Sequence, residues 1–183
     1  MADKKIVLFD LDGTLIHSDL LLESFFSYFS KNIFAPLIAF WILTRHGVVE
    51  LKRYLYKNSN LDVNNLPYNK EILDYIKDWR LKNNGKVILI SASDFRFVDA
   101  ISKHLGFFDE SYGTETINLK SQDKLNKINE LVDGKPFGYI GNSSDDIILW
   151  RHAELSIAVE PEELTTLELI SRLLKTFSIA LFG

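Results

Sequence analysis

Ile6-Val7-Leu8-Phe9-Asp10-Leu11-Asp12-Gly13-Thr14-Leu15 runs from four unbroken apolar residues into two aspartates one residue apart, then into glycine. An apolar run of that length with no polar alternation predicts a strand buried on both faces, as in a parallel sheet. Side chains alternate along a strand, so Asp10 and Asp12 share a side if the extended backbone continues. Gly13 permits a turn that brings both carboxylates together at the strand's carboxyl end. Open α/β sheets place their ligands at that end. Two acids at such a turn suit phosphoryl chemistry, provided the chain supplies a phosphate-binding hydroxyl, a cation and metal ligands elsewhere.

Working outward, the pattern alternates. Helical periodicity is predicted from Ser18 to about Tyr56, interrupted at Pro36 and Gly47, and followed by a loop over 57–69 rich in asparagine and proline. Glu71 to Leu81 reads as an amphipathic helix closed by Asn83-Asn84-Gly85, a segment that tolerates left-handed backbone. Val87-Ile88-Leu89-Ile90 is another apolar strand, Phe95 to Leu105 a helix ended by Gly106, and a short strand is expected near 111–114. Lys124 to Val132 reads as helix, Gly138-Tyr139-Ile140 as strand, Asp145 to His152 as helix, and 155–159 as the last strand. Strands alternating with helices predict a doubly wound, mostly parallel α/β sheet. The helical stretch after strand one interrupts the alternation, so residues 1–17 and 70–183 form the core and 18–69 a small helical cap beside the acidic turn.

Composition excludes several classes. The chain has 183 residues, 46% hydrophobic and 13% aromatic, enough for a packed core. Its net charge is -4 with no basic field, which leaves nucleic-acid binding without electrostatic support. Without cysteine there is neither disulfide nor thiolate site, and the short start before strand one lacks a secretory signal; both point to the cytoplasm. The apolar run from Ile33 to Leu43 is short of the ~20 residues that span a bilayer and contains Pro36, so it is expected to be a buried cap helix. Phe25, Phe26, Tyr28, Phe29, Phe34, Phe40 and Trp41 are likewise expected to be cap core, with a lipid-binding groove as the alternative.

Four pieces at strand ends or helix starts supply the missing parts of the site. They are Asp10 and Asp12 with Thr14; Ser91 with the backbone of Ala92; a lysine, Lys124 in preference to Lys120; and Gly141-Asn142-Ser143-Ser144-Asp145-Asp146. A hydroxyl and adjacent amides hold phosphoryl oxygens, a lysine neutralises them, and an all-oxygen set suits Mg²⁺. The chemistry of the four pieces is mutually consistent.

In their order and context these pieces resemble the haloacid dehalogenase superfamily. That resemblance implies that Asp10 is the nucleophile and Asp12 the general acid/base, with Thr14, Ser91, Ala92 and Lys124 binding phosphate. It further implies that Mg²⁺ is held by Asp10, the Asp12 carbonyl and Asn142, with Asp146 behind them. Superfamily dehalogenases lack the second aspartate, so Asp12 favours phosphate chemistry. Motif four usually opens Gly-Asp; Gly141-Asn142 here removes one negative charge from the metal site.

A narrower resemblance covers about residues 5 to 160. Leu66-Pro67-Tyr68-Asn69-Lys70-Glu71, Asn118-Leu119-Lys120 with Lys124, and Tyr139-Ile140-Gly141-Asn142-Ser143 through Asp146 and Trp150 are similar to phosphatase-like domains found beside or fused to UbiA-type intramembrane prenyltransferases. It implies a small phosphorylated substrate and a membrane prenyltransferase as partner. The helically spaced Leu164, Leu167, Ile170, Leu173, Leu174 and Phe177 offer a route to that partner or to the inner-membrane surface. The alternatives to a phosphatase are a weakly active or inactive phosphate-binding domain partnering a membrane prenyltransferase, and a phosphotransferase using the same aspartates.

Overall fold

The computed structural model describes residues 5–160; the expectation placed on 164–183 lies outside them. β1 (Ile6–Phe9) is buried along its whole length and is the central strand of a five-stranded parallel sheet. The others are β2 (Lys86–Asp94), β3 (Glu110–Thr114), β4 (Phe137–Gly141) and β5 (Leu155–Ala158), in the order β3-β2-β1-β4-β5. Period-two alternation sorts the side chains to two cores. Val7, Phe9, Val87 and Leu89 face the cluster under α3 (Lys70–Lys82) and α4 (Phe95–Leu105). Ile6, Leu8, Ile88 and Ile90 face the one under α5 (Ser121–Val132) and α6 (Ile147–Trp150). This is the doubly wound α/β architecture read from the alternation.

Because β1 pairs with β2 on one side and β4 on the other, the chain diverges at its carboxyl end and opens a crevice there. Asp10 is the first residue past β1, and its N–H donates to the Ile140 carbonyl at 2.8 Å, tying the acidic turn to β4. Gly13 takes the left-handed backbone of that turn, with φ 70°.

The insertion after β1 is a helical hairpin of α1 (Leu20–Phe29) and α2 (Ala35–Asn58). Its two ends run side by side at the base. Ile16 bridges Tyr68, His17 N–H donates to the Pro67 carbonyl at 2.9 Å, and Asn69 N–H to the Leu15 carbonyl at 2.9 Å. Asp19 caps α1 through the Leu22 N–H. Pro36 starts α2 rather than breaking it, as suits a residue whose missing N–H has no intrahelical partner there. Gly47 kinks it at φ 82°.

Three local expectations change. No residue of Asn83-Asn84-Gly85 is left-handed; a Cβ on Gly85 would sit 2.1 Å from the Lys5 carbonyl oxygen, so glycine serves close approach there. β2 runs through Ser91 to Asp94, which caps α4, because a register irregularity after Ile90 lets the strand continue. α5 begins at Ser121, which places Lys124 within its first turn rather than at its start.

The cap departs most from expectation. Ala35, Ala39 and Ile42 form a buried stripe with Tyr28, Leu51 and Leu55. Phe26, Phe29, Ile33, Phe34, Leu37, Phe40, Trp41 and Leu43 are exposed. The apolar run from Ile33 to Leu43 is therefore mostly exposed, with only Ala35, Ala39 and Ile42 buried, since a two-helix cap has one inward face to offer it.

Candidate active site

The strand ends and the cap enclose a cavity of about 920 Å³. At its floor, Lys124 Nζ lies 3.0 Å from Asp10 Oδ1, 3.0 Å from the Tyr139 hydroxyl and 3.4 Å from Asp146 Oδ1. An ammonium has three N–H donors, and all three find partners. Tyr139 donates to Asp146 Oδ1 at 2.8 Å. The other Asp146 oxygen accepts from the Asn142 and Ser143 N–H groups, each at 3.1 Å, which fixes the loop after β4.

Burial governs the protonation of this cluster. Loss of water pushes the Asp10 carboxyl up to about 7, against the pull of Lys124 and with help from the charges of Asp146 and Asp12. Burial opposes the charge on Lys124, yet Asp10 and Asp146 more than offset it and hold the ammonium protonated. Burial, with the same two charges, keeps Tyr139 a phenol.

Asp12 lies above this floor. Its Oδ1 accepts from the Leu20 N–H at 2.7 Å, so the first residue of the cap helix orients the acid. Its Oδ2 accepts from Ser91 Oγ at 3.1 Å and Ser93 Oγ at 2.7 Å. Burial raises its pKa against those three hydrogen bonds, which favour the carboxylate.

Two expected phosphate ligands are placed differently. Thr14 is fully buried, does not line the cavity, and its hydroxyl has no partner among the described residues. Ser91 is also fully buried, its hydroxyl spent on Asp12 and on accepting from the Ser93 N–H at 2.9 Å. Ala92 and Ser93 face the cavity in its stead. Ser93 was not singled out from sequence, although its spacing of two from Ser91 along a strand was a signal. Lys120, the alternative lysine, pairs with Asp145 at 2.8 Å, so only Lys124 reaches Asp10.

Among the described residues no three His, Cys, Asp or Glu side chains converge as a metal site. The expected oxygen ligands, Asp10, Asp12 and Asn142, all line the cavity. The Asn142 amide lies over Gly13 so closely that a Cβ there would meet its Nδ2 at 2.1 Å. The Asp10 carboxylate, the Asp12 carbonyl and the Asn142 amide oxygen around a glycine turn would suit Mg²⁺, with one negative charge fewer than a set that has aspartate at position 142.

The remaining cations sort by position. Arg53 pairs with Glu50, and Arg96 is bound to Asp94 at 2.7 Å and lies over the Tyr56 ring. His17 lines the cavity mouth, 3.9 Å from Glu160. Lys52, on α2, reaches into the cavity and donates to the Ala92 carbonyl at 2.5 Å and Asn118 Oδ1 at 2.7 Å.

The family model of haloacid dehalogenase-like hydrolases matches residues 7–149. The uncharacterized protein y4nM of Sinorhizobium fredii is 36% identical over 162 residues, covering 86% of this chain and 30% of that protein. The chain thus spans about three tenths of that relative's length. Among solved structures, a Bordetella pertussis Tohama I protein of unknown function superposes with a TM-score of 0.73 at 14% identity, over 92% of this chain and 96% of that one. A phospho-aspartyl intermediate analogue of phosphoserine phosphatase superposes with a TM-score of 0.55 at 16% identity, over 85% and 86%. At such identities the two structures show the fold.

Proposed function

The chain belongs to the haloacid dehalogenase-like hydrolases, and from that premise we propose that it is an Mg²⁺-dependent phosphomonoesterase working through an aspartyl-phosphate on Asp10. The observation that carries the reading is the Asp10–Lys124 contact, with Asp12 alongside in the same cavity. The phosphatase among the structural neighbours agrees with it.

The roles follow from the contacts. Lys124 and the turn hold Asp10 in one orientation, so its second oxygen attacks phosphorus without a search for geometry. Asp12, inclined to keep a proton by burial, gives that proton to the leaving alkoxide as the P–O bond breaks. As a carboxylate it then takes a proton from the water that attacks the acyl phosphate, releasing inorganic phosphate and restoring both acids. Ser93 and the Leu20 N–H hold Asp12 for both transfers. Asp10, the Asp12 carbonyl and Asn142 would hold Mg²⁺, which supplies positive charge against the phosphoryl oxygens.

Phosphate release from a panel of phosphomonoesters, with and without Mg²⁺, tests this. We expect Mg²⁺-dependent release that falls by at least about 1000-fold in Asp10→Asn. Release that survives in Asp10→Asn refutes the nucleophile, and silence across the panel refutes the phosphatase.

A second reading has one observation in its favour. The outer cap face of Ile33, Phe34, Leu37, Phe40 and Trp41 is apolar and exposed, which suits a domain that docks on a membrane prenyltransferase or the bilayer surface beside it. No helix among the described residues is long and apolar enough to cross a membrane. Co-sedimentation with prenyltransferase-containing membranes, lost in Phe40→Ser/Trp41→Ser, would support that reading, and absence of binding would remove it.

A further inference from the structure

Four basic side chains line the cavity, and three of them face a carboxylate. Lys124 has Asp10 and Asp146, Lys120 has Asp145, and His17 lies by Glu160. Lys52 is the exception among the described residues: its partners are a peptide carbonyl and an amide oxygen, both neutral. Those partners are themselves held. Thr114 Oγ1 donates to the same Ala92 carbonyl at 2.6 Å and contacts Asn118 Oδ1 at 3.4 Å. The ammonium is therefore fixed in place with no carboxylate of the described residues in direct contact, the Asp12 and Asp19 charges acting on it only from farther off, and with two of its three donors used, one N–H remains.

Its place in the fold separates it from Lys124. Lys124 binds groups on β1, β4 and the loop after β4. Lys52 binds β2 and the segment after β3, on the opposite side of β1 in the sheet order. A ligand seated on Asp10 thus has one cation on each flank, the first from the core and the second from the cap.

We propose that Lys52 is a specificity-determining residue that selects phosphomonoesters carrying a second anionic group, a carboxylate or a further phosphate, a few bonds from the ester. The proposal rests on the phosphate-binding reading of Asp10 and Lys124. A substrate anion gives Lys52 the direct charge-assisted contact that no carboxylate of the described residues makes, and a monoester without one leaves a partly desolvated cation with neutral partners only.

Hydrolysis-resistant phosphonates test this by calorimetry on the whole chain with Mg²⁺. Methylphosphonate carries the phosphoryl mimic alone, whereas phosphonoacetate and 3-phosphonopropionate add a carboxylate at two spacings. We expect the better carboxy-phosphonate to bind at least about tenfold more tightly than methylphosphonate, the scale of one charge-assisted hydrogen bond. In Lys52→Met that ratio should fall below about threefold. A structural loss lowers both affinities together and leaves the ratio intact, so an unchanged ratio overturns the proposal. A wild-type ratio near one overturns it with no variant needed. Binding of neither class overturns the phosphate reading as well, whereas methylphosphonate binding without preference overturns only the role of Lys52.

Discussion

The core and the cap use apolar and polar residues in opposite ways. In the core every residue of β1 is buried, and the polar groups below the cavity are paired, Lys124 with three acceptors and Asp146 with five contacts. In the cap one stripe, Ala35, Ala39 and Ile42, is buried, while Phe34, Leu37, Phe40 and Trp41 face outward. Folding accounts for the core residues, since each is covered or paired within the chain. It accounts less for the outer cap face, where Phe34, Leu37, Phe40 and Trp41 stay exposed among the described residues and Trp41 meets the His46 ring. The lesson is that the cap's inner side faces the cavity, through Lys52 and the Leu20 N–H, while its outer side is left uncovered among the described residues.

The largest effect should come from the core. Lys124→Met leaves Asp10 and Asp146 facing each other without the cation that holds both. Breaking a buried ion pair costs about 3–5 kcal/mol, read as a lower urea midpoint. Turnover should drop by at least about 1000-fold if, as proposed, the same lysine neutralises the phosphoryl group. If the midpoint holds steady, the core network is less tightly coupled than its distances imply. The cap contrast comes next. Leu55→Ala, at a buried cap position, should cost about 2–5 kcal/mol. Phe40→Ser, on the same helix but exposed, should stay within about 0.5 kcal/mol. Equal costs would mean that the outer face is covered by the chain itself.

Much of this was legible in the sequence because strands and turns are local. The apolar run into Asp10-Leu11-Asp12-Gly13 foretells a buried central strand, and Lys124 follows from being near a helix start. What escaped was set by tertiary placement. Lys52 lies 40 positions from Ala92 and 66 from Asn118, and no spacing rule connects a helical lysine to them. Thr14 and Ser91 carry hydroxyls at the expected positions, but the direction in which a buried hydroxyl points is decided by packing, and here the Ser91 hydroxyl donates its hydrogen bond to Asp12. Tyr139 looks like one more apolar residue of a strand until Lys124 and Asp146 arrive on either side of its hydroxyl. The exposed cap aromatics escaped for the opposite reason: periodicity marks a residue as apolar, and the number of layers around it decides whether it is covered.

The smallest effect concerns the metal site, where the core meets solvent. In the proposed reading Mg²⁺ binds the ionised Asp10 carboxylate, and burial pushes that carboxyl up to about 7. A carboxyl raised this far ionises only as pH climbs through that value, so cation binding below it must displace a proton. Mg²⁺ affinity should therefore rise between about pH 6 and pH 8 and level off above. Asn142→Asp adds a carboxylate beside Gly13 and should tighten Mg²⁺ several-fold at pH 8, as ligand charge strengthens hard-cation sites. At pH 6 the gain should shrink, because a second negative charge near Asp10 raises its proton affinity further. Titration calorimetry at the two pH values separates these terms. A gain of equal size at both would mean that Asp10 is not the titrating ligand, and no gain at either would remove Asn142 from the metal site.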